Sequence, residues 1–221
     1  MKSDLYSRKW GKFLKRAKPF RFVPFVEFVL AAGSLATGRL HEGSDFDVMV
    51  GVRQRRIFTA RFFSIATFEM FGYRRRGMDH KGNVSDKICL NHFVTDKKYR
   101  LDPPHVGSWM ELYQSLVPIM GDEEEIKQFF EANDWMEPKR IYKRDPRYMG
   151  EGNSSIKKFL EWILGGRLGY LLEAFLKQLQ ISRIESGLEG VLSSDGRVLY
   201  GDDELEFHPE GALDTKRHIG L

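Results

Sequence analysis

Apolar positions recur along this chain in two patterns. From Phe25 to Ala32 they run almost unbroken, with Glu27 the single polar interruption, as in a buried strand. Val48-Met49-Val50 carries a second such run on from Asp45-Phe46-Asp47, and Lys87 to Thr95 is a third. Elsewhere the spacing lengthens to three and four. Leu5 to Ala17 predicts a basic amphipathic helix, with Leu5, Trp10, Phe13 and Leu14 apolar and Lys9, Lys12, Lys15 and Arg16 around them. Ile57 to Phe71 predicts another, ended by Gly72, which can take the left-handed conformation past the last turn. Ser108 with Glu111 fits a capping box opening a helix through about Met120. Acids from Asp122 to Glu125 open the next helix, which runs to Ala132. The longest helical pattern spans Ile156 to about Ile184. A Ser194-Asp195-Gly196 turn and a short strand from Arg197 to Tyr200 follow it.

Punctuation divides the chain. A composition shift at Asp102-Pro103-Pro104 separates residues 1–104 from a helical region, 105–186, and a C-terminal tail with a short strand, 187–221. Gly165, Gly166 and Gly169 interrupt the longest helical pattern, where each costs about 1 kcal/mol relative to Ala. Close approach of another helix, from this chain or from a second copy in a homodimer, would offset that cost. A kink is the alternative.

Composition narrows the class. With 221 residues, 42% hydrophobic and 17 of them Phe, the chain can bury a substantial core. A net charge of +4 favours phosphate-rich partners. One cysteine excludes an intramolecular disulfide and fits a reducing cytoplasm. The charged first residues carry no secretory signal. Glu161, Arg167, Glu173 and Lys177 break the most apolar stretch, which argues against a membrane span. The expectation is a soluble cytoplasmic protein without a membrane partner.

The candidate chemistry lies at Gly33-Ser34, ten residues, then Asp45-Phe46-Asp47. Acids two apart on a strand point to one face. Beside a Gly-Ser turn with free backbone N–H groups, they can hold Mg²⁺ against a polyphosphate. This segment resembles the signature of the DNA polymerase beta-like nucleotidyltransferase superfamily. The resemblance is strongest from about Pro24 to Val94. It is similar in particular to a poorly characterised bacterial and archaeal subgroup, through Gly33-Ser34-Leu35-Ala36, Thr59-Ala60-Arg61 and Cys89-Leu90-Asn91.

The resemblance implies an α+β fold, a small mixed β-sheet flanked by helices, followed by the helical C-terminal region. It implies transfer of a nucleoside monophosphate from an NTP to an acceptor, whether small molecule, protein or RNA, with Mg²⁺ or Mn²⁺ as cofactor. Asp45 and Asp47 are then the catalytic metal ligands, and Gly33 and Ser34 hold the phosphates. Ser44 caps or orients the first acid, or is an ordinary turn serine. Arg61 reaches a phosphate or pairs with an acid, whereas Arg74-Arg75-Arg76 read as solvated surface.

The family's third acid is expected on the strand from Lys87 to Val94, which contains none. Asn91 is matched to it as a neutral oxygen ligand, and Asp86, at the strand's start, is the other candidate. Asp79, brought in by loop closure, is a further source. Strict alternation puts Cys89, Asn91 and Phe93 on one face and Ile88, Leu90, His92 and Val94 on the other, making His92 a core residue. Cys89 reads as a small buried hydrophobe rather than a nucleophile. The alternative to an enzyme is a catalytically inactive nucleotide-binding or regulatory module of the same fold.

Overall fold

A computed structural model describes residues 2–76, 84–102, 106–136, 144–188 and 197–208. Helix α1 (Lys2–Ala17) leads into strand β1 (Val26–Ala31), a short helix α2 (Gly33–Thr37), β2 (Phe46–Val52), α3 (Ile57–Met70) and β3 (Ile88–Val94). The second half supplies α4 (Gly107–Gln114), β4 (Val117–Gly121), α5 (Glu123–Ala132), α6 (Ser155–Leu164), α7 (Arg167–Leu188), β5 (Arg197–Tyr200) and β6 (Glu204–His208). The strands form one mixed sheet in the order β4-β1-β2-β3-β6-β5. Only β2 and β3 run parallel; their neighbours pair antiparallel. The expected α+β class is therefore observed. Residues from all three predicted segments enter this sheet, since β4 lies within 105–186 and β5 and β6 within 187–221.

Each face of the sheet has its own core. Phe46, Val48 and Val50 join α1, α3 and α7 through Phe13, Phe58 and Leu176. Met49 joins Phe28, Leu30 and the helices α4 and α5. Alternation therefore puts Asp47 on the side of Met49. Register between β2 and β3 slips in the middle, for Val48 pairs with Leu90 but Met49 pairs with His92. Asn91 is the extra residue. Such a bulge inverts the alternation beyond it. Phe93 accordingly joins Ile88 and Leu90 in the first core, while Val94 enters the second. The strict alternation expected from sequence fails at that point, and His92 leaves the side of Ile88 and Leu90.

Two further expectations are corrected. The helix opening near Ser108 ends at Gln114, and Val117–Gly121 is an edge strand paired with β1. Val117 and Ile119 are β-branched, and Pro118 cannot donate to a helical ladder but is tolerated in an edge strand. No capping box forms, because the N-cap is Val106 and Glu111 instead pairs with Arg39 at 2.8 Å. The long helical pattern from Ile156 is two helices, α6 and α7, broken at Gly165 and Gly166. A Cβ on Gly169 would lie 1.7 Å from the Leu164 carbonyl oxygen, so the junction itself requires glycine there. The kink, not a helix crossing, accounts for that residue. No helix of the described residues is long and apolar enough to cross a membrane.

Candidate functional site

Strand β1 leaves the sheet at Ala31, and the Ala32 N–H donates to the Asp47 carbonyl at 3.0 Å. The next residue, Gly33, has φ +62°, and a Cβ there would lie 2.0 Å from Asp47 Oδ2. Only glycine lets this turn lie directly against the carboxylate. Ser34, in the next position, is half-buried.

Asp45 is buried and Asp47 half-buried. Their carboxylate oxygens and Cys89 Sγ all lie within 4.8 Å of one another. Cys89 stands opposite Asp47 in the parallel register. Asn91 reaches the same acid, its Nδ2 donating to Asp47 Oδ1 at 3.1 Å. Arg75 Nη1 lies 2.5 Å from Asp45 Oδ2 and 3.9 Å from Cys89 Sγ. Residues 73–75 run beside the start of β3, where Arg74 bridges Ile88 and the Arg75 N–H donates to its carbonyl. This brings the guanidinium over Cys89 to the first acid.

Electrostatics follow from that packing. Desolvation, then Asp47 and Asp45, push the Cys89 thiol well above its usual value, so it is a protonated thiol at neutral pH. Burial opposes the charge on Arg75, but the carboxylates of Asp45 and Asp47 hold it in the charged form and push that pKa up. Among the described residues no third carboxylate joins Asp45 and Asp47 at this spacing. Asp79 lies outside the described residues.

The remaining candidates have other partners. Asp86 ties the acid-bearing loop to α1, with Lys9 Nζ 2.8 Å from its Oδ1 and Lys12 Nζ 2.8 Å from its Oδ2. A carboxylate occupied by two ammonium groups is not brought to the cluster. Lys9, only 1% exposed, also donates to the carbonyls of Glu42 and Ser44, at 2.5 and 3.0 Å. Ser44 Oγ accepts from the His41 N–H at 2.9 Å, the turn-serine alternative. Arg61 does not reach the acids. On α3 it donates to Gln180 of α7 at 2.7 Å and lies over Phe207, and burial with nearby Arg74 lowers its pKa to about 10. Its helix packs on the face of the sheet opposite Asp47, which the sequence order of strand and helix does not reveal.

Sequence reasoning missed Arg75 and Lys9. Arg75 was one of three arginines with no pattern to single it out. Lys9 carried a weak signal, lying one turn before Phe13 at the margin of the apolar stripe. No known protein family, curated protein or solved structure matches this chain.

Proposed function

We propose that this chain binds a metal–nucleoside triphosphate at Asp45 and Asp47 and transfers the nucleotidyl group to an acceptor oxygen. The observation that carries the reading is the seating of Asp47 against Gly33, with the Asp45 and Asp47 carboxylates close enough to share an ion. Two carboxylates are a fitting donor set for Mg²⁺ or Mn²⁺, which take oxygen ligands and complete their shells with water and phosphate. Bound there, such an ion would neutralise the triphosphate and favour in-line attack at the α-phosphorus. Asp45 and Asp47 hold and orient the metal–phosphate unit. Ser34 donates to a phosphate oxygen, and Arg75, beside Asp45, offers its guanidinium to the same triphosphate. The acceptor oxygen forms the new bond to phosphorus, pyrophosphate leaves, and the acceptor proton passes to solvent.

A second reading has its own observation. Asn91 and a protonated Cys89 stand beside Asp47 on β3, so among the described residues no further carboxylate is at hand to accept the acceptor's proton. A nucleotide-binding module that does not turn over has the same site. Labelled NTPs with Mg²⁺ or Mn²⁺, offered to cell extract plus the protein, separate the two. The transferase reading expects a labelled acceptor and released pyrophosphate, both lost in Asp45→Asn and Asp47→Asn with the fold intact. Tight NTP binding without label or pyrophosphate establishes the binding module. Transfer that persists in the doubly substituted protein removes both acids from the mechanism.

A further inference from the structure

A second group of metal-ligating side chains lies where β6 pairs with β3. His92 stands opposite Glu206 in that register, and His208 lies two residues further along β6. His92 Nδ1 and His208 Nε2 approach the same oxygen, Glu206 Oε1, at 3.8 and 3.7 Å. All three ligand atoms lie within 4.8 Å of one another. We propose that His92, Glu206 and His208 form a binding site for a divalent transition-metal ion of the zinc type.

The donor set and its spacing carry the proposal. Two imidazole nitrogens and one carboxylate oxygen, with a position left for water or a ligand, suit zinc and its neighbours rather than Mg²⁺. Bonds of about 2.0–2.2 Å in tetrahedral geometry put donors about 3.3–3.5 Å apart, so the two imidazole–carboxylate distances need close by only a few tenths of an ångström. The surrounding groups hold the ligands ready. Glu204 Oε1 lies 3.0 Å from His92 Nε2. A carboxylate only accepts, so Nε2 donates to Glu204, and Nδ1 is the ring nitrogen left on the Glu206 side to serve as a ligand. This is the carboxylate–histidine pairing that orients metal-bound imidazoles. The Tyr113 hydroxyl donates to Glu206 Oε1 at 2.8 Å, and Arg197 Nε lies 2.5 Å from Oε2. Arg197 neutralises Glu206, and the buried Glu204 beside His92 adds a second carboxylate, so a cation enters a site of net negative charge. The His208 side chain is 12% exposed and gives the ion its entry.

The test uses the whole protein, stripped with chelator and then offered Zn²⁺ or Co²⁺. One equivalent of zinc per chain is expected by elemental analysis, together with cobalt d–d bands that lack thiolate charge transfer. Cys89→Ser should leave both unchanged, and His208→Gln should remove both. Absence of stoichiometric zinc in the unmodified protein overturns the proposal. So does loss of uptake in Cys89→Ser, which would move the ion to Asp45, Asp47 and Cys89. Should His208→Gln fail to fold, the cobalt spectra of the unmodified protein and Cys89→Ser decide.

A different observation supports a second inference. Helix α7 is apolar on two sides: Leu176 packs into the core, while Leu168, Leu171 and Phe175, at helical spacing, stand 70%, 69% and 61% exposed. On α6, Phe159 and Trp162 stack together and are 58% and 79% exposed. With aromatic side chains of about 150–250 Å² each, the outward surface is on the order of 700 Å². That sum over the five side chains approaches one partner's share of a standard interface, about 800 Å². We infer that this face seats the same face of a second copy of the chain, the self-complementary arrangement of a two-fold dimer. Sedimentation equilibrium should show a dimer that Leu171→Glu with Trp162→Glu converts to monomer. A monomer at every concentration, or a dimer indifferent to both substitutions, overturns it. So does binding of the monomer to lipid vesicles through this face.

Discussion

At the residue scale, two positions show how a single side chain sets the candidate site. Gly33 is required twice, by its positive φ and by the carboxylate that fills its Cβ position. Gly33→Ala is expected to cost about 2 kcal/mol or more, since strain and a clash combine. In denaturant titrations, adding Asp47→Ala should recover part of that loss; strictly additive costs would show that the clash is not the cause. Asp86 is the second case. Partial burial opposes its charge, but Lys12 and Lys9 outweigh burial and hold the carboxyl below its usual value. The stability it supplies is therefore present above the ordinary carboxylate pKa and lost as pH falls through the depressed one. Its φ of +63° suits Asn as well as Asp, so Asp86→Asn isolates the charge. Leaving the buried Lys9 ammonium uncompensated should cost about 3 kcal/mol near neutral pH. That difference from the unmodified protein should shrink as pH falls through the depressed pKa of Asp86 and vanish below it. A difference that persists at low pH would assign the effect to packing.

Elements are tied together by the charges that interrupt the apolar C-terminal stretch. Glu173 of α7 accepts from the backbone N–H groups of Phe58 and Thr59 at 2.9 and 2.8 Å, capping α3 from outside. Helix α3 has no side-chain cap of its own at Arg56. Glu161 of α6 likewise accepts from the Phe25 N–H at 2.7 Å and pairs with Arg53. Glu173→Ala is expected to destabilise by about 1–2 kcal/mol, the cost of losing a charged cap. Glu173→Gln, which keeps one acceptor, should lose less, as urea midpoints would show. The periodicity of α1 and α5 was legible because each carries an apolar stripe or a capping acid. Strand β4 was not, because Leu112 to Ile119 has apolar residues at both helical and strand spacings. Only its pairing with β1 selects the strand. Strand β6 was hidden for another reason. Glu204 and Glu206 point inward to His92, His208 and Arg197, opposite to the polar-out pattern that marks a half-buried strand.

For the whole molecule, β6 is what keeps β3 off the edge of the sheet. A chain ending before Arg197 would expose the β3 backbone beside Phe93 and Val94, an apolar edge open to pairing with other chains. Such a truncation is expected to aggregate on expression, read as loss of the monodisperse fraction in gel filtration. Recovery of a well-folded truncated protein would show that the hairpin is dispensable. Sequence alone determined the two kinds of element, the Gly33-Ser34 turn and the pair Asp45 and Asp47, because these depend on periodicity and on residues near one another in the chain. The tertiary structure decided which charges the acids meet and on which face each residue stands. The bulge at Asn91, the reach of Arg75, the diversion of Arg61 to Gln180 and the meeting of His92 with His208 all depend on strand register and helix placement. Those are set by packing between segments tens of residues apart, which no local pattern records.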